Sequence, residues 1–375
     1  MERQKKVCIA FLGNALHDSR IVNLTNSLKE DDCKVSVIAF EWFISAQSFS
    51  DETYKIFKLK KSSLSVLFYL HFALVLIREL IVTKADIYFA EDLYTLPFVT
   101  TIANLKGAKV IYNSRELYAF LGGLRNKPFI QWLIKSIESF FIKKVDLVLT
   151  TGEMDSEFIE KFYGIRNTVV IRNIPLYQVP VNKINFKDMF NIGKDKIILL
   201  YQGVLLNGRG MPQIMRALKK LTDAVLIIVG DGEQRNNFKS LSEELGISSK
   251  VFFTGSINQK ELINYTAGAD IGLCLIENIS ISYYHALPNK LFEYIMAGLP
   301  VLSSDLPQMK KIVEAYNVGE SIDISCCENI ASVLGKWMNN KELLEFYKNN
   351  SFSASKELNW QEEYKRVRNR LLDLG

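Results

Sequence analysis

Short apolar runs of strand length alternate with helically spaced apolar positions along the first half of the chain. The runs predict strands at residues 7–12, 34–40, 87–90, 110–112, 147–150 and 169–171, and the longer periodic stretches predict helices at 21–29 and 64–77. Strands that alternate with helices favour a parallel sheet covered by helices. The first half is therefore expected to be an α/β domain whose last strand is 169–171.

The same alternation restarts after a polar, proline-containing stretch around 173–180. Strands are predicted at 197–201, 224–229, 251–254, 271–275 and 301–303, and helices at 211–221, 238–245 and 360–372. We expect an α/β protein with two Rossmann-like, doubly wound domains facing each other across a cleft, where ligands of such folds bind. The domains are placed at 1–175 and 176–355, and a C-terminal helix within 356–375 is expected to pack back across both.

Composition narrows the class of protein. The 375 residues are 48% hydrophobic and 23% charged, as in folded proteins, and the net charge is +5 without a dense basic cluster interleaved with aromatics, which argues against nucleic acid as a partner. The five cysteines show no zinc-binding spacing. The N-terminal residues pass directly into a strand, without the apolar stretch of a signal peptide, so a cytoplasmic location is expected.

Two apolar segments leave a question about membranes open. Residues 64–77 form a run shorter than the roughly 20 apolar residues that a spanning helix needs. In residues 128–144, Phe129, Trp132, Leu133 and other apolar side chains share one face with lysines at its edges, a pattern typical of helices that lie on anionic membranes. Packing against the core explains the same pattern.

The segment PNKLFEYIMAGLPV, residues 288–301, predicts a helix that starts after a proline and stops at Gly298. Its apolar residues point towards neighbouring structure, whereas Lys290 and Glu293 lie one turn apart on the other edge. A helix N-terminus favours anions, so Lys290 there suits a phosphate and Glu293 suits sugar hydroxyls. The alternative interpretation is a solvated polar edge.

Three further loops follow predicted strands, where the residues of a cleft belong. The first, QGVLLNGRG at 202–210, combines glycines that allow a close backbone approach with the permanently charged Arg209. It matches neither a Walker loop nor GxGxxG. The other two are Gly230-Asp231-Gly232 and the segment with Phe253 and Thr254, whose backbone groups suit a flat base.

Taken in order, these motifs resemble the retaining glycosyltransferases of family 4, which have the two-domain GT-B fold. The resemblance covers essentially the whole chain: HDSRI, AEDLYTLP, YNSREL, VVIRNIP, the GxxxxxRG loop, VGDG, FTG and PNKLFEYIMAGLPV. It implies that the second domain binds a nucleotide-diphosphate sugar donor and the first binds the acceptor. No cofactor is implied, and no Asp-x-Asp metal signature follows a strand.

For the donor, the resemblance implies that Glu293 binds the ribose, as the second acid of the family's Glu-x7-Glu motif. The first acid is replaced by His285, which changes the charge beside the donor sugar. Arg209 stands where the family has a basic residue against the phosphates, and because Val204 replaces a second expected arginine, Lys290 is expected to share that task. The other donor-binding candidates are Gly13, Asn14, Gly203, Asn207, Gly210, Gly230, Phe253, Thr254 and Asn289.

For the acceptor, the resemblance points to Asp18, Arg20, Asp92, Arg115 and Glu116. Arg115 stands where many members have histidine, and a guanidinium can stabilise charge but cannot act as a general base. Arg115, Glu116, Arg209 and Lys290 are the catalytic candidates. Structural roles are open alternatives, since Asp18 suits a helix cap and Glu116 suits an ion pair.

The function expected from these residues is sugar transfer, with retention and without a metal ion, to a hydroxyl of a saccharide or lipid-linked saccharide. Synthesis of cell-surface polysaccharide at the inner face of the cytoplasmic membrane fits this activity, with anionic lipid as a peripheral contact. Two alternatives remain open. A nucleotide-sugar epimerase of the same fold would act on donor alone, and a non-catalytic scaffold would bind nucleotide sugar without turnover.

Overall fold

The computed structural model describes residues 3–42, 52–59 and 65–374. Its chain divides into two compact units, one made of Met1–Arg172 with Glu363–Gly375 and the other of Asn173–Glu362. Each unit contains its own parallel sheet. Among the described residues, no helix combines the length and the apolar character needed to cross a membrane.

The first unit is built on a seven-stranded sheet with the order β3-β2-β1-β4-β5-β6-β7. The strands are β1 Lys6–Phe11, β2 Lys34–Glu41, β3 Tyr54–Lys58, β4 Ile87–Ala90, β5 Lys109–Ser114, β6 Leu147–Thr150 and β7 Thr168–Val170. The helices are α1 Ser19–Glu30, α2 Ser65–Val82, α3 Leu96–Leu105, α4 Pro128–Phe141 and α5 Glu153–Tyr163. The strand order reverses between β1 and β4, the position where doubly wound sheets bind ligands at the carboxyl ends of their strands.

The second unit has a six-stranded parallel sheet with the order β10-β9-β8-β11-β12-β13. The strands are β8 Ile197–Gln202, β9 Ala224–Val229, β10 Val251–Gly255, β11 Ile271–Cys274, β12 Val301–Ser304 and β13 Gly319–Ile322. The helices are α6 Phe186–Met189, α7 Met211–Lys219, α8 Arg235–Glu244, α9 Gln259–Thr266, α10 Ile281–Tyr284, α11 Asn289–Met296, α12 Pro307–Ala315, α13 Cys327–Met338 and α14 Lys341–Ser355. The last helix of the chain, α15 Trp360–Leu372, begins in this unit and belongs to the first unit from Glu363 onward.

The predicted strands are all present. Most of them are buried on both faces, as parallel strands between helix layers are, whereas the edge strands β7 and β10 are mostly half-buried. Two strands escaped prediction. β3 and β13 lie at sheet edges and contain charged or polar residues, so neither forms a continuous apolar run. The helix predicted at 64–77 is α2, which is longer than expected, and Leu64 lies outside the described residues.

The C-terminal helix α15 packs against the first unit. The Tyr364 hydroxyl donates to Asp31 at 2.7 Å, and Lys5 Nζ donates to the Leu372 carbonyl at 2.6 Å. Because these contacts join the last helix to residues near the N-terminus, the first unit is assembled from both ends of the chain.

Candidate functional site

The helix α11 carries the two charged residues singled out in the sequence. It begins after Pro288 and is followed by Gly298 in the left-handed conformation, with φ of 73°, as predicted. The apolar residues of the helix are buried, and Lys290 itself is only 7% exposed. The interpretation of Lys290 as part of a solvated polar edge is therefore wrong, whereas Glu293 is half-buried.

Lys290 is a buried cation that forms no ion pair with any of the described residues. Its Nζ has no hydrogen-bond partner among the described residues and lies 3.8 Å from the centroid of the Tyr201 ring. Burial lowers the pKa of Lys290 from its ordinary value of 10.5 to about 8, helped by the nearby positive charge of Arg209. Unpaired charge in the interior is costly, so this side chain is prepared to receive an anion.

Glu293 is held in place by amide side chains. Its Oε2 accepts a hydrogen bond from Gln202 Nε2, and its Oε1 accepts from Gln259 Nε2 at 3.4 Å. Thr266 fixes the other end of the Gln202 amide, because its hydroxyl donates to Gln202 Oε1 at 2.7 Å. Burial raises the pKa of Glu293, and these hydrogen bonds only partly offset it. Glu293 also lines an open depression together with Gln259 and Thr266.

Gln202 is a functional candidate that the sequence did not reveal. It is the last residue of β8 and is 1% exposed, so it looks like part of the apolar run that precedes it. A buried polar side chain at the carboxyl end of a central strand is the signal that would have identified it.

Gly203 and Gly230 follow neighbouring strands but differ in their surroundings. Gly203 has φ of 123° and is exposed, and a Cβ added there would meet only Lys290 Cε, at 3.9 Å. Gly230 has φ of 137°, and its Cβ would lie 2.1 Å from the Gly203 carbonyl oxygen. The space above Gly203 is open beside Lys290, whereas Gly230 is glycine because two loops touch there.

Arg209 is half-buried in the loop between β8 and α7. Its guanidinium carbon lies 5.2 Å from the centroid of the Tyr283 ring, and the Tyr283 hydroxyl donates to the Asn207 carbonyl at 3.3 Å. The amide of Gly210 lies 3.3 Å from Glu277 Oε1. Because the Arg209 charge also depresses the pKa of Lys290, the fold brings two of the predicted catalytic cations into one electrostatic neighbourhood.

The remaining donor candidates of the second unit have local contacts of their own. His285 is 9% exposed at the end of α10, and its carbonyl accepts from Gln308. Phe253 has the Arg235 guanidinium 5.9 Å from its ring centroid, and the Thr254 hydroxyl contacts the Gly255 carbonyl at 3.0 Å. The half-buried Asn289 is the first residue of α11. Ligand contacts of these residues stay predictions.

In the first unit, Arg115 is clamped by two carboxylates. Its Nη1 lies 2.6 Å from Asp18 Oδ2 and its Nη2 lies 2.9 Å from Glu91 Oε2, while the guanidinium carbon sits 4.4 Å from the Phe11 ring centroid. Glu91 is fully buried, and Asn113 donates to its Oε2 at 2.9 Å. The sequence reasoning missed Glu91, which follows β4 and precedes the acid that it selected.

These contacts set the charge states of the cluster. Burial raises the pKa of Glu91, with partial compensation from Arg115. Burial alone would also raise the pKa of Asp18, but the charge and hydrogen bonds of Arg115, together with Arg20, outweigh it and lower that pKa. Asp18 also caps α1 by accepting from the Ile21 amide at 3.1 Å, the structural alternative considered above.

Two further candidates of the first unit, Asp92 and Asn14, already have hydrogen-bond partners within the protein. Asp92 is 4% exposed, and its oxygens accept backbone amides of Leu12 at 2.8 Å and Thr95 at 2.7 Å. Asn14 caps a turn and donates to Glu41 at 2.8 Å. Asp92 and Asn14 thus stabilise the local fold, and their substrate contacts stay predictions.

Arg20, Glu116 and Gly13 complete the set of candidates in the first unit. Arg20 is half-buried in the first turn of α1, and burial lowers its pKa. The Glu116 side chain is exposed beyond β5. At Gly13 an added Cβ would lie 2.5 Å from the Phe11 ring, so this glycine provides space for a neighbouring side chain.

Comparison with known proteins gives a match to a family model over part of the chain. Residues 182–353 match the model of the family described as glycosyl transferases group 1. Among curated relatives, the putative teichuronic acid biosynthesis glycosyltransferase TuaH of Bacillus subtilis is 27% identical over 252 residues, which cover 63% of this chain and 62% of that protein. The lipopolysaccharide glucosyltransferase WaaG of Escherichia coli is 25% identical over 250 residues, covering 63% and 60%.

The matches do not span the whole of these relatives. An uncharacterized glycosyltransferase of Methanocaldococcus jannaschii, MJ1059, is 27% identical over 195 residues, which cover 49% of this chain and only 46% of the relative. The chain therefore spans between about half and three fifths of the length of the three relatives named here.

Solved structures extend the comparison to the full chain. Sucrose-phosphate synthase from Thermosynechococcus elongatus superposes with a TM-score of 0.79, at 14% identity, over 99% of both chains. Anabaena Alr3699/HepE in complex with UDP gives a TM-score of 0.70, at 13% identity, over 99% of this chain and 100% of that one. This likeness confirms the expected fold class of two Rossmann-like domains of the GT-B type. The matched family model and the named relatives are all described as glycosyltransferases, and the model covers less than half of this chain, within its second unit.

Proposed function

We propose that this protein is a glycosyltransferase that moves a sugar from a nucleotide-diphosphate sugar to a hydroxyl of a saccharide or lipid-linked saccharide. Transfer proceeds with retention at the anomeric carbon and without a metal ion or cofactor. The observation that carries the proposal is the buried, unpaired ammonium of Lys290 beside the open space above Gly203. HepE, a similar fold, has been solved with UDP.

Breaking the bond between sugar and diphosphate leaves negative charge on the departing phosphate. Fixed positive groups that need no reorganisation stabilise such charge most effectively in a site with little water. Lys290 is already desolvated, and Arg209 lies near enough to lower its pKa. We assign both residues to the diphosphate, where the anion would compensate the repulsion between the two cations.

Glu293 is assigned to the ribose hydroxyls. A carboxylate accepts hydrogen bonds from two adjacent hydroxyls, and Gln202 and Gln259 fix the orientation of this one. Gln202 acts through Glu293 and is therefore a positioning residue. Replacing it with leucine should raise the KM for the donor while kcat at saturating donor changes little.

Nucleotide binding tests the site directly. In a thermal-shift assay, UDP and GDP should raise the unfolding temperature of the protein, whereas uridine and guanosine, which lack phosphate, should not. Because binding needs the ammonium form of Lys290, affinity should fall about tenfold per pH unit above pH 8 until the pKa of the complex is reached. Unchanged diphosphate affinity in Lys290→Met would remove the basis of the proposal.

Turnover separates the proposed activity from its alternatives. Glu293→Ala should lose both donor hydrolysis and transfer in purified enzyme. A product formed from donor alone, with the sugar inverted at one carbon, would indicate an epimerase instead, and nucleotide-sugar binding without turnover across a donor and acceptor panel would indicate a scaffold. NMR of the first-formed product gives the anomeric configuration and tests retention.

We place the reaction in cell-surface polysaccharide synthesis, at the inner face of the cytoplasmic membrane. TuaH is named for teichuronic acid and WaaG for lipopolysaccharide. Helix α4 supports contact with anionic lipid, because Phe129 and Trp132 are 71% and 61% exposed rather than packed in the core, and lysines flank it.

Vesicles test the membrane contact. Wild-type protein should sediment with vesicles that contain phosphatidylglycerol, and the pair Phe129→Ser and Trp132→Ser should reduce binding severalfold. Leu105→Ser, a change at a residue that is 83% exposed elsewhere in the first unit, is the control. Equal binding by all three proteins, or none by the wild type, would refute this part of the proposal.

A further inference from the structure

Five aromatic side chains of the first unit form a continuous row, which we call the aromatic row: Trp42, Phe68, Tyr69, Tyr94 and Tyr118. Trp42 and Phe68 meet edge to face with ring centroids 5.7 Å apart, and Phe68 meets Tyr69 in the same way at 5.3 Å. Tyr69 and Tyr94 are nearly parallel, with centroids 5.6 Å apart and 13° between their planes. Tyr118 closes the row at 6.3 Å from Tyr94.

The topology places this row where ligands bind. Trp42 directly follows β2, Tyr94 follows β4 by four residues, and Tyr118 follows β5 by four. Tyr69 lies in the first turns of α2, which follows β3. The row therefore runs along the carboxyl ends of the parallel strands, the edge at which open α/β sheets receive their ligands.

The two central members of the row are open to solvent. Tyr69 is 43% exposed and Tyr94 is 45% exposed, although aromatic rings of this size usually contribute to a protein by being buried. Burial of its hydroxyl end and the adjacent Tyr69 raise the pKa of Tyr94 to about 12, so the hydroxyl remains a donor throughout the neutral range. The pair thus presents apolar ring surface with polar ends.

Several charged groups at this edge of the sheet are already bound within the protein. Arg115, Asp18 and Glu91 bind one another, and Asp92 is occupied by backbone amides. Glu116 is exposed and stands two residues before Tyr118, the last member of the row. An exposed acceptor group is therefore next to one end of the row in the chain.

We propose that Tyr69 and Tyr94 form the acceptor subsite, in which the pyranose ring of a saccharide packs against the solvent-exposed parts of the two rings while Glu116 accepts a hydrogen bond from one of its hydroxyls. The C–H bonds on one face of a pyranose are electron-poor and suit the negative face of an aromatic ring, and the hydroxyls at its edge suit a carboxylate. The inference rests on the proposed glycosyltransferase function and adds the class of acceptor group that the first unit recognises.

Saturation-transfer NMR on the full-length protein tests the subsite without knowledge of the natural acceptor. The probes are methyl β-glucoside, β-galactoside, β-mannoside and β-N-acetylglucosaminide. At least one should show transfer to its ring C–H protons with the wild type, and its apparent dissociation constant should rise about 3- to 10-fold in Tyr94→Ala and Tyr69→Ala, the range expected for loss of one aromatic contact.

Two variants control for folding and for the ring itself. Tyr94→Phe keeps the ring and should bind like the wild type, and Phe162→Ala removes an aromatic ring of the same 45% exposure elsewhere in the first unit and should also bind like the wild type. No transfer to any probe in the wild type, or equal transfer in Tyr94→Ala, would overturn the proposal. UDP and GDP binding measured on the same samples shows separately whether the donor function holds.

Discussion

Replacing Lys290 with methionine should make the free protein more stable and abolish nucleotide binding. Methionine has a similar unbranched length and no charge, so it fills the space without the cost of a desolvated ammonium. The pKa of Lys290 falls from 10.5 to about 8 on folding, and at about 1.4 kcal/mol per pH unit this difference amounts to about 3 kcal/mol. Loss of the cation–π contact with Tyr201 subtracts about 1 kcal/mol.

The net gain of about 2 kcal/mol at pH 7 corresponds to a rise of about 4–8 °C in the Tm of a unit of this size. Its pH dependence has a defined sign. Because the folded-state pKa is lowered, the unfolded chain binds the extra proton between pH 8 and 10.5, so wild-type stability rises with pH in that window. The advantage of Lys290→Met is therefore full below pH 8 and is lost as the pH approaches 10.5.

Thermal unfolding of both proteins at pH 7 and pH 10, without nucleotide, measures the effect. Lys219→Met, a change at an exposed lysine of α7, should leave the free energy of unfolding within about 0.5 kcal/mol of the wild type. If Lys290→Met lowers the Tm at pH 7, or raises it equally at both pH values, then Lys290 is not a strained, desolvated ammonium and the argument for an anion site fails.

Three further experiments test other parts of the structure and the mechanism. Arg115→Met should cost about 3–5 kcal/mol in denaturant unfolding at pH 7, because it leaves Glu91 buried without its cation, and the loss should shrink as the pH falls and Glu91 becomes protonated. Gly230→Ala should cost at least about 3 kcal/mol, since the Cβ meets the Gly203 carbonyl, whereas Gly246→Ala, where nothing lies within 4 Å, should cost about 1 kcal/mol. Sugar transfer should proceed at an unchanged rate in EDTA, and a rate that is lost in EDTA and restored by Mg²⁺ would contradict the metal-independent mechanism.

Sequence periodicity determined most of the fold because parallel strands between two helix layers need continuous apolar runs. β4, β6 and β9 begin and end at the predicted residues. Prediction failed at two of the four edge strands, β3 and β13, whose charged or polar residues interrupt the apolar run, and it succeeded at the other two, β7 and β10. It also left α4 undecided, since periodicity shows that a helix has an apolar face but not whether anything covers it.

The sequence by itself determined that Arg209 stands in the loop after β8 and that Lys290 and Glu293 stand one turn apart on α11. Only the tertiary structure decided their physical state. Burial depends on what packs around a residue from distant parts of the chain, which is why the unpaired ammonium of Lys290 and the support of Glu293 by Gln202 were invisible in the pattern. The same holds for Arg115, which binds the carboxylates of Asp18 and Glu91, 97 and 24 positions away in the chain.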